Sequence, residues 1–548
     1  MNLSQKKRQR MLEFLARLRE EHKDDDSTLT AIGEIENELN SKKYGLVWES
    51  HEEAVDVKMQ THIPVFTEDT EKELTAVTDG DYNFLLEGDN LHSLYLLEKT
   101  HKGRIDVIYI DPPYNTGKKN DFRYNDSFVV REDSFRHSKW LSFMSERLRI
   151  ARTLLSSNGA IFISIDDDEQ SALKLLCDDI FGADNFVASA IWEKKFSPQN
   201  DSRWLSDSHD FVLVYAKNKE EWKPNLLPRT EEMNKRYKNP DNDPRGVWTS
   251  GDCSVKTYSA SCDYPITTPS GRVVNPPAGY CWRFSKETFD KMVEDGRIWF
   301  GDKGDNVPRV KRFLTDVKQG SVCKTIWYRT EVGDTQEGTK DMKAVFNGAA
   351  PFTNPKPIRH IRRVLDLASK PDSTVLDFFA GSGTTAQAVL ELNQQDGGHR
   401  RFILCTNNEN NICAEVTYSR VKTVITGKRE DGSEYSDGIP ANLKYYCTDF
   451  VARDEEYLSD ALLEHITEMI QLEHAVKIDN KRYVMILDEE DADDLAEHIS
   501  DYPKLKAIYA AKDVLFTTEQ QTALNGIPIH IIPDYYFEFE LREEGQSW

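Results

Sequence analysis

The residues best suited to chemistry follow a short apolar segment, residues 105–110. The segment is rich in β-branched and aromatic side chains, which is typical of a strand covered on both faces of a parallel sheet. It runs directly into Asp111-Pro112-Pro113-Tyr114. Each proline fixes its own φ and lacks an N–H, so the turn is stiff and rich in acceptor carbonyls. A carboxylate and rigid carbonyls beside an aromatic ring favour contact with an exocyclic amino group, although a lone Pro-Pro turn is more often structural.

A second candidate site is a glycine turn that follows residues 374–377. Glycines after a strand let a ligand contact the backbone, and the N-terminus of the next helix offers N–H groups to an anion. The spacing of Gly381, Gly383 and Ala386 fits G-x-G-x-x-A, a weak signature of dinucleotide binding. The carboxylate of S-adenosylmethionine is another candidate anion. Asp377 favours this amino-acid ligand because it can accept hydrogen bonds from an ammonium group. A glycine turn without a ligand is the structural alternative.

Alternating strands and helices must position these turns. From residue 81 to about 217, and again from 353 to 440, apolar strands alternate with helical patterns, which predicts a doubly wound α/β sheet. Between residues 218 and 352 Gly, Pro and Trp break this rhythm and indicate an irregular inserted domain. From residue 441 we expect a small α/β domain with one helix and four strands, at 457–473 and at 484–487, 507–509, 514–516 and 529–532.

Two further helices are readable outside the motifs. One begins at Trp140 and is expected to end at Asn158-Gly159, because Gly is a common residue just past a helix C-terminus. The other lies near the N-terminus, where apolar residues recur at helical spacing among charged ones. These apolar residues are Met11, Leu12, Phe14, Leu15 and Leu18.

Composition narrows the class of protein. The 548-residue chain is 39% hydrophobic and 30% charged, as in ordinary globular proteins. It has no apolar run of bilayer length and no signal-peptide pattern, so we expect a cytoplasmic location. The 8 cysteines include no C-x-x-C pair, so we expect no metal site. The formal net charge of −24 argues against a general nucleic-acid coat. However, residues 201–330 carry about +4 and residues 441–548 about −15, which is compatible with a DNA-facing middle.

Together the two turns resemble the motifs of the amino-group DNA methyltransferases. Residues 111–114 match the catalytic D-P-P-Y, and residues 379–383 match the cofactor motif F-x-G-x-G. The catalytic motif comes first, which is the order of the β class. Residues 111–117 and 163–169 resemble specifically the modification subunits of type III restriction systems. The resemblance covers roughly residues 80–430, and it implies a Rossmann-like domain that transfers a methyl group from S-adenosylmethionine to N6 of adenine in duplex DNA.

The resemblance also implies roles for individual residues. Asp111 and the carbonyl of Pro112 would accept from the amino group of an adenine flipped out of the duplex, and Tyr114 would stack on that base. Pro113 completes the catalytic turn. The implied cofactor-binding residues are Asp89, Asp377, Phe379, Gly381, Gly383, Thr384, Thr385 and Glu409. Within this set, Asp89 is expected at the cofactor adenine and Glu409 at the ribose hydroxyls, with a solvated loop acid as the alternative for both.

The inserted segment is expected to be a target recognition domain. Its candidate contacts to phosphates or bases are Trp248, Lys256, Tyr258, Arg272, Arg283, Arg309, Lys311 and Arg312. We therefore expect five regions: an N-terminal helical extension (1–80), the catalytic half of the methyltransferase domain (81–217), the target recognition domain (218–352), the cofactor half (353–440) and a C-terminal α/β interaction domain (441–548).

Both ends of the chain predict contacts with proteins. The N-terminal helix carries more apolar surface than a free extension should expose, and the acidic C-terminal domain would repel DNA. The resemblance implies a homodimer of modification subunits and docking of a separate restriction nuclease-helicase or other defence subunit. Packing of both ends on the catalytic domain is the alternative. The chain has no G-x-x-x-x-G-K-[ST] motif, so we expect any ATP-driven cleavage of DNA to reside in another polypeptide.

Three other functions fit part of the pattern. A nicotinamide-dependent oxidoreductase rests on G-x-G-x-x-A alone, and the Asp-Pro-Pro-Tyr turn counts against it. A catalytically silent DNA-binding or assembly subunit could use the cofactor structurally, but both motifs are intact. Amines of RNA or of protein glutamine are other acceptors for the same chemistry. The inserted segment, rich in Trp and Arg, favours duplex DNA over both.

Overall fold

The computed structural model describes residues 3–23, 25–40, 48–78, 80–118, 123–124, 127–198, 202–318, 320–478 and 481–543. The chain divides into two compact units. Unit 1 comprises residues 1–222, 326–361 and 370–548, and unit 2 comprises residues 223–325 and 362–369. Within the described part of the chain, no helix is long and apolar enough to cross a membrane.

Unit 1 is built on a mixed sheet whose described part has 11 strands. In chain order they are β1 (His62–Glu68), β2 (Leu74–Thr75), β3 (Tyr82–Glu87), β4 (Ile105–Ile110), β5 (Leu155–Ile165), β6 (Phe186–Glu193), β7 (His209–Ala216), β8 (Ile326–Trp327), β9 (Thr374–Asp377), β10 (Arg401–Thr406) and β11 (Asn442–Ala452). They lie in the order β1-β11-β3-β10-β9-β4-β5-β7-β6-β8, with β2 beside β11. Adjacent strands from β11 to β5 run parallel. The predicted doubly wound α/β class is therefore confirmed.

Helices connect these strands. In unit 1 they are Leu3–Glu21, Asp26–Asn40, Ala54–Thr61, Asn90–His101, Arg136–Leu154, Gln170–Cys177, Arg329–Val332, Thr335–Val345, Thr384–Asp396, Tyr418–Thr426, Leu458–Leu463, Ile466–His474, Glu489–Glu497, Thr518–Ala523 and Asp534–Glu543. A further helix, Ile358–Ala368, begins in unit 1 and ends in unit 2. Because the strands from β11 to β5 are parallel, their carboxyl ends meet at one edge of the sheet, which is where an α/β sheet binds ligands.

Four strands of the sheet come from segments that the sequence assigned elsewhere. β1 and β2 lie in the expected N-terminal extension, β8 lies in the expected target recognition domain, and β11 lies beyond the expected boundary at residue 441. β11 pairs in parallel with β3 and antiparallel with β1. Ile63, Val65 and Phe66 of β1 are fully buried. The sheet therefore extends beyond the region that carries the motifs, because burying these apolar side chains stabilises the added strands.

The helix Arg136–Leu154 ends earlier than predicted. β5 begins at Leu155, and Gly159 lies inside that strand instead of capping the helix. A Cβ at Gly159 would lie 2.8 Å from the carbonyl oxygen of Ile105 in β4. Close approach of the neighbouring strand, next to an irregularity in the β4–β5 register, explains the glycine.

The C-terminal region forms a small parallel sheet from Tyr483–Ile486, Ala507–Ala511 and Ile529–Ile532. The predicted strand at residues 514–516 is wrong, because the strand beside Ala507–Ala511 is Ile529–Ile532 and Leu515 is exposed. The predicted single helix is two helices. The buried Glu540 receives a hydrogen bond from Lys99 Nζ at 2.5 Å, so this region packs on the catalytic sheet of unit 1.

Unit 2 has short strands, as its Gly- and Pro-rich sequence predicts. Three antiparallel strands are Trp248–Asp252, Arg309–Phe313 and Ile298–Trp299. Two further pairs join Ser254–Val255 to Cys281–Trp282 and Ile266–Thr267 to Val273–Val274. The helices Glu231–Lys235 and Lys286–Glu294 and the 3-10 helix Ala260–Cys262 complete the described elements that lie wholly in this unit. Its core includes Cys253, Trp282 and Phe289.

Candidate active site

The two motif turns lie side by side in the fold. β4 and β9 are adjacent parallel strands, Asp111 directly follows β4, and Asp377 is the last residue of β9. A pocket of about 170 Å³ opens at this edge of the sheet. The residues that line it are Tyr109, Asp111, Phe352, Lys356, Ile361, Asp377, Phe379, Ala380, Gly381, Ser382, Thr384, Thr385 and Thr406. The fold thus brings together residues that are more than 260 positions apart in the chain.

Both oxygens of the Asp111 carboxylate are engaged. Tyr114 Oη donates to Asp111 Oδ1 at 2.8 Å, and Lys356 Nζ donates to Asp111 Oδ2 at 2.5 Å. Lys356 Nζ also lies 3.1 Å from Tyr114 Oη. Burial raises the pKa of Tyr114 far above the ordinary value, so its hydroxyl stays protonated and can donate. A carboxylate offers about four lone-pair positions, so Asp111 can still accept from a further donor.

The backbone of the catalytic turn is held from behind. Trp140 Nε1 donates to the carbonyl oxygen of Pro113 at 2.7 Å, so that carbonyl already has a partner. Asn115 is buried with φ of 57°, a left-handed conformation that Asn tolerates better than most residues. Its Nδ2 donates to Oε1 of the buried Glu169 at 2.6 Å, and His137 Nδ1 lies 2.5 Å from the same oxygen. These contacts fix the direction in which Asp111 and the turn face.

The second turn is open because of its glycines. Gly381 and Gly383 have φ of 46° and 74°, and Gly383 is the residue before the helix Thr384–Asp396. A Cβ at Gly381 would lie 3.0 Å from Cζ of Phe352, so a side chain there would displace that ring. Thr417 Oγ1 donates to the carbonyl oxygen of Gly381 at 2.6 Å and anchors the turn. The bare backbone forms a cradle that faces the pocket.

Asp377 lies beneath this cradle. Its Oδ1 accepts from the backbone N–H of Phe379 at 3.1 Å, and its Oδ2 accepts from Thr385 Oγ1 at 2.5 Å. The residue is 3% exposed, and burial raises its pKa to about 7. A cationic ligand would stabilise the ionised carboxylate, because an opposite charge nearby favours the charged form. The site therefore fits an ammonium group beside a cradle for an anion, which are the two ends of an amino acid.

A buried arginine supports the start of the helix. Arg420 Nη1 donates to Thr384 Oγ1 at 2.8 Å and to the carbonyl oxygen of Ser382 at 3.3 Å. Its Nε donates to Gln387 Oε1 at 2.9 Å. Burial lowers the pKa of Arg420 to about 10, so the guanidinium remains charged at neutral pH. A positive charge behind the helix N-terminus adds to the preference of this end for an anion.

A family model described as DNA methylase matches residues 105–417, a segment that contains both turns. The chain belongs to this family. It is 36% identical over 390 residues to the Mod subunit of the type III restriction-modification enzyme StyLTI of Salmonella typhimurium, covering 66% of this chain and 58% of that subunit. It is 31% identical over 443 residues to the EcoPI Mod subunit of Escherichia phage P1, covering 70% of this chain and 66% of that subunit. The chain thus spans less than two thirds of the length of these two relatives.

A shorter relative is matched over most of its length. The type II methyltransferase M.KpnI of Klebsiella pneumoniae is 33% identical over 368 residues, which cover 63% of this chain and 84% of that protein. The family that the two sequence motifs resemble is thereby confirmed.

Six of the expected site residues do not line the pocket: Pro112, Pro113 and Tyr114 of the catalytic turn, and Asp89, Gly383 and Glu409 of the cofactor set. Asp89 caps the helix Asn90–His101, where its Oδ1 accepts from Leu91 N at 2.8 Å and from Arg147 Nη2 at 3.1 Å. Arg147 also pairs with Glu53 at 2.6 Å, so Asp89 belongs to a buried charge network. Glu409 begins a short 3-10 helix after β10 and is partly exposed. At this edge Thr406, the last residue of β10, lines the pocket.

The residues expected to contact DNA all lie in unit 2 and differ in exposure. Trp248 is 5% exposed and donates from Nε1 to Asp241 Oδ1 at 2.8 Å, and Lys311 is 6% exposed and pairs with Asp241 and Asp243. These two residues support the interior of unit 2 and offer no free surface. Arg309 is exposed at the side chain but pairs with Asp252. The remaining residues are exposed: Lys256, Tyr258, Arg272, Arg283 and Arg312.

Two residues of the pocket lining, Lys356 and Phe352, were not predicted from the sequence. Lys356 precedes Pro357 at the start of a helix and looks like an ordinary surface lysine. It reaches Asp111 across 245 positions of the chain, and only the sheet order brings the two together. Phe352 likewise has no local signal, because its role depends on the missing Cβ of Gly381.

Proposed function

We propose that this chain is a site-specific DNA methyltransferase that transfers a methyl group from S-adenosylmethionine to N6 of adenine in duplex DNA. The observation that carries the proposal is the shared pocket of two turns. One turn presents Asp111, which accepts a hydrogen bond from Tyr114, and the other presents the bare backbone of Gly381. Membership of the DNA methylase family supports the same reaction. S-adenosylmethionine supplies the methyl group when it is bound.

The glycine turn is proposed to hold the methionine part of this ligand. The N–H groups at the start of the helix Thr384–Asp396 would face the carboxylate, and Asp377 would face the ammonium group. Phe379 lines the pocket and packs against Phe143, with ring centroids 5.8 Å apart. Gly383 allows the chain to enter the helix in a left-handed conformation. Thr384 and Thr385 hold the first helical turn through Arg420 and Asp377.

The catalytic turn is proposed to prepare the acceptor nitrogen. The carbonyl of Pro113 accepts from Trp140 Nε1, and the carbonyl of Pro112 and the Asp111 carboxylate are the proposed acceptors for the exocyclic amino group. Accepting from this group places its lone pair toward the methyl donor. Tyr114 would stack on the flipped base, and its bond to Asp111 fixes the phenol for that contact.

Asp89 and Glu409 remain proposed contacts of the adenosine part. Asp89 is held by Arg147, so it would contact the ligand only through its remaining acceptor capacity. Glu409 follows β10, the strand next to β9, and is therefore near the correct edge of the sheet. Glu409 would accept from the ribose hydroxyls, and Asp89 would accept from the amino group of the cofactor adenine.

Residues 218–352 are proposed as the target recognition domain. The compact core of this segment is unit 2, which bears exposed basic and aromatic side chains. Exchange of this segment with that of a relative should move the methylated sequence. An unchanged sequence after a functional exchange would argue against the assignment.

We further propose that the chain works as a homodimer within a restriction or other defence system, together with a separate nuclease-helicase subunit. The Mod subunits among its relatives support a modification role. In the N-terminal helix Met11 and Phe14 are exposed, whereas Leu15 is buried. A DNA substrate in turn supports the expected cytoplasmic location. Light scattering on the full-length chain should give the mass of a dimer, and a monomer at all concentrations would contradict this part of the proposal.

Sequencing of modified bases tests the proposed specificity. The chain is expressed in cells that lack DNA methylation, and their DNA should carry N6-methyladenine at one short sequence. Expression of Asp111→Ala at the same level should leave the DNA unmodified. Methylcytosine, or modification of equal extent with the variant, would contradict the proposal.

A further inference from the structure

Unit 2 contains a concave site of about 380 Å³ lined by four basic side chains. They are Arg229, Arg236, Arg312 and Lys318. The remainder of the lining includes Tyr237, Thr249 and Ser250, which place an aromatic ring and two hydroxyl groups among the charges. Only Arg312 was expected at DNA from the sequence.

Several other cations of unit 2 are paired with acids. Arg245 pairs with Asp243 at 2.9 Å, Arg297 with Asp316 at 2.6 Å, and Lys311 with Asp243 at 2.9 Å. Within the described residues of the chain, the four lining cations make no ion pair with a carboxylate. Positive charges gathered in one concavity repel one another unless an anion neutralises them.

The two guanidinium groups at one side are held by a ring. Tyr237 is 7% exposed, and its ring centroid lies 5.4 Å from Arg229 Cζ and 5.5 Å from Arg236 Cζ. Arg229 Nε also donates to Asn234 Oδ1 at 2.9 Å. Arg229 Nη2 is inaccessible to solvent and has no hydrogen-bond partner among the residues that the structure describes. A buried guanidinium nitrogen without an acceptor is costly unless a ligand supplies one.

The third guanidinium lies over a glycine. An added Cβ at Gly251 would lie 2.8 Å from Arg312 Nε, so the side chain of Arg312 crosses the strand where a Cβ is missing. Gly251 lies in the strand Trp248–Asp252, directly after the lining residue Ser250. The position of Arg312 therefore depends on local shape and not on an acidic partner.

We propose that this concavity, the phosphate pocket, binds a backbone phosphate of the DNA substrate and sets the register of unit 2 on the duplex. Guanidinium groups match phosphate oxygens in pairs, and contacts to phosphates position a protein on DNA without reading its sequence. Hydroxyl groups of Thr249 and Ser250 can donate to the same oxygens. The proposal rests on the proposed function, because DNA is the substrate.

The test measures the affinity of the full chain for duplex DNA by fluorescence anisotropy at several salt concentrations. The variant Arg236→Gln/Arg312→Gln removes two charges from the phosphate pocket. Each lost phosphate contact should lower the salt slope by about 1 and weaken binding roughly fivefold to tenfold near 0.1 M salt. S-adenosylmethionine affinity, thermal melting and the methylated sequence should stay unchanged.

The matched control is Lys286→Gln/Lys291→Gln. It also removes two charges from unit 2, but both lysines lie on an exposed helix and pair with acids one turn away, at 2.5 Å and 2.8 Å. DNA affinity and salt slope should stay within about twofold of the wild type, because exposed pairs of this kind contribute little.

A second variant keeps every charge. Gly251→Ala should displace the Arg312 side chain without changing the charge of the protein. DNA binding should weaken about threefold. Loss of affinity in Gly251→Ala and in the double variant, but not in the control, supports the phosphate pocket. Equal affinity and salt slope in the phosphate-pocket variants and the control would overturn it, as would a changed methylated sequence. DNA binding is read directly, so failure of the phosphate pocket is distinguishable from failure to methylate.

Discussion

The turns after β4 and β9 sit next to each other at one edge of the sheet and are built in opposite ways. The first contains two prolines. Its Asp111 carboxylate accepts hydrogen bonds from Tyr114 of the same turn and from Lys356 of a distant segment. The second contains two glycines in left-handed conformations and offers backbone. The difference teaches that the two turns of one pocket suit two different tasks. Rigid polar side chains suit the orientation of an amino group, and bare backbone suits close contact with a bound ligand.

The carboxylates of the two turns also differ, in the charge of their partners. Asp111 is already paired with the Lys356 cation, whereas Asp377 is buried beside neutral donors and its pKa is raised to about 7. Asp377 therefore gains most from a cationic ligand, and Asp111 is prepared for a neutral amino group. Changes at the two turns should separate binding from transfer.

The largest expected effect comes from breaking the catalytic turn. Asp111→Ala removes the proposed acceptor for the amino group and should lower single-turnover methyl transfer on the order of 10³-fold. S-adenosylmethionine affinity should change by less than about threefold, because the glycine turn is untouched. Rapid-quench transfer assays and calorimetric titration check the two halves. Loss of cofactor affinity as large as the loss of rate would contradict this separation of binding from transfer.

The next effect comes from filling the cradle. Gly381→Ala places a Cβ 3.0 Å from Phe352 and strains a residue with φ of 46°. We expect S-adenosylmethionine to bind about tenfold more weakly, with the transfer rate recovering at saturating cofactor. Gly397→Ala is the matched control, since Gly397 has φ of 71° but nothing within 4 Å of an added Cβ. If Gly397→Ala lowers the affinity for S-adenosylmethionine equally, backbone strain and not the filled cradle explains the loss.

A smaller effect is expected from the residue that joins the two catalytic side chains. Lys356→Gln removes the cation that contacts Asp111 and Tyr114, and it should lower kcat about tenfold with little change in thermal melting. Lys343→Gln, at an exposed lysine of unit 1, should leave kcat unchanged. A higher kcat in Lys356→Gln would mean that the ion pair restrains Asp111 instead of positioning it.

The smallest expected effect is the pH dependence of S-adenosylmethionine binding, which should come from Asp377 of the second turn. Burial raises the pKa of Asp377 in the folded protein to about 7, above the ordinary 3.8. Through this group the folded state therefore loses stability as pH rises from about 4 to about 7. A cation binds the ionised form, so S-adenosylmethionine affinity should increase about eightfold from roughly pH 6 to pH 7.5. Calorimetric titration of Asp377→Asn should show no such increase. A pH dependence shared by this variant would assign the titration to another group.

The sequence was informative where function depends on neighbouring residues. Residues 105–114 and 374–385 carry strand, turn and helix start within one short segment, so their types and spacing predict both structure and role. Their meeting in one pocket followed from the α/β pattern, because parallel strands share a carboxyl edge.

The sequence was less informative where distant segments meet. β1 and β11 join the sheet from outside the motif region, and Lys356 reaches the site only through the fold. Residue type also does not reveal burial. Trp248 and Lys311 were predicted to contact DNA, but both are buried, where Trp248 donates a hydrogen bond to Asp241 and Lys311 pairs with Asp243.

The most direct test of the central claim is the chemical identity of the product in a reaction that contains only the purified chain, duplex DNA and S-adenosylmethionine labelled at its methyl group. After digestion of the DNA to nucleosides, mass spectrometry should find the label in N6-methyladenine. Asp111→Ala should bind the cofactor within about threefold of the wild type and lower the labelled product on the order of 10³-fold. Label in a methylated cytosine, label in protein instead of DNA, or full product from the variant would contradict the account.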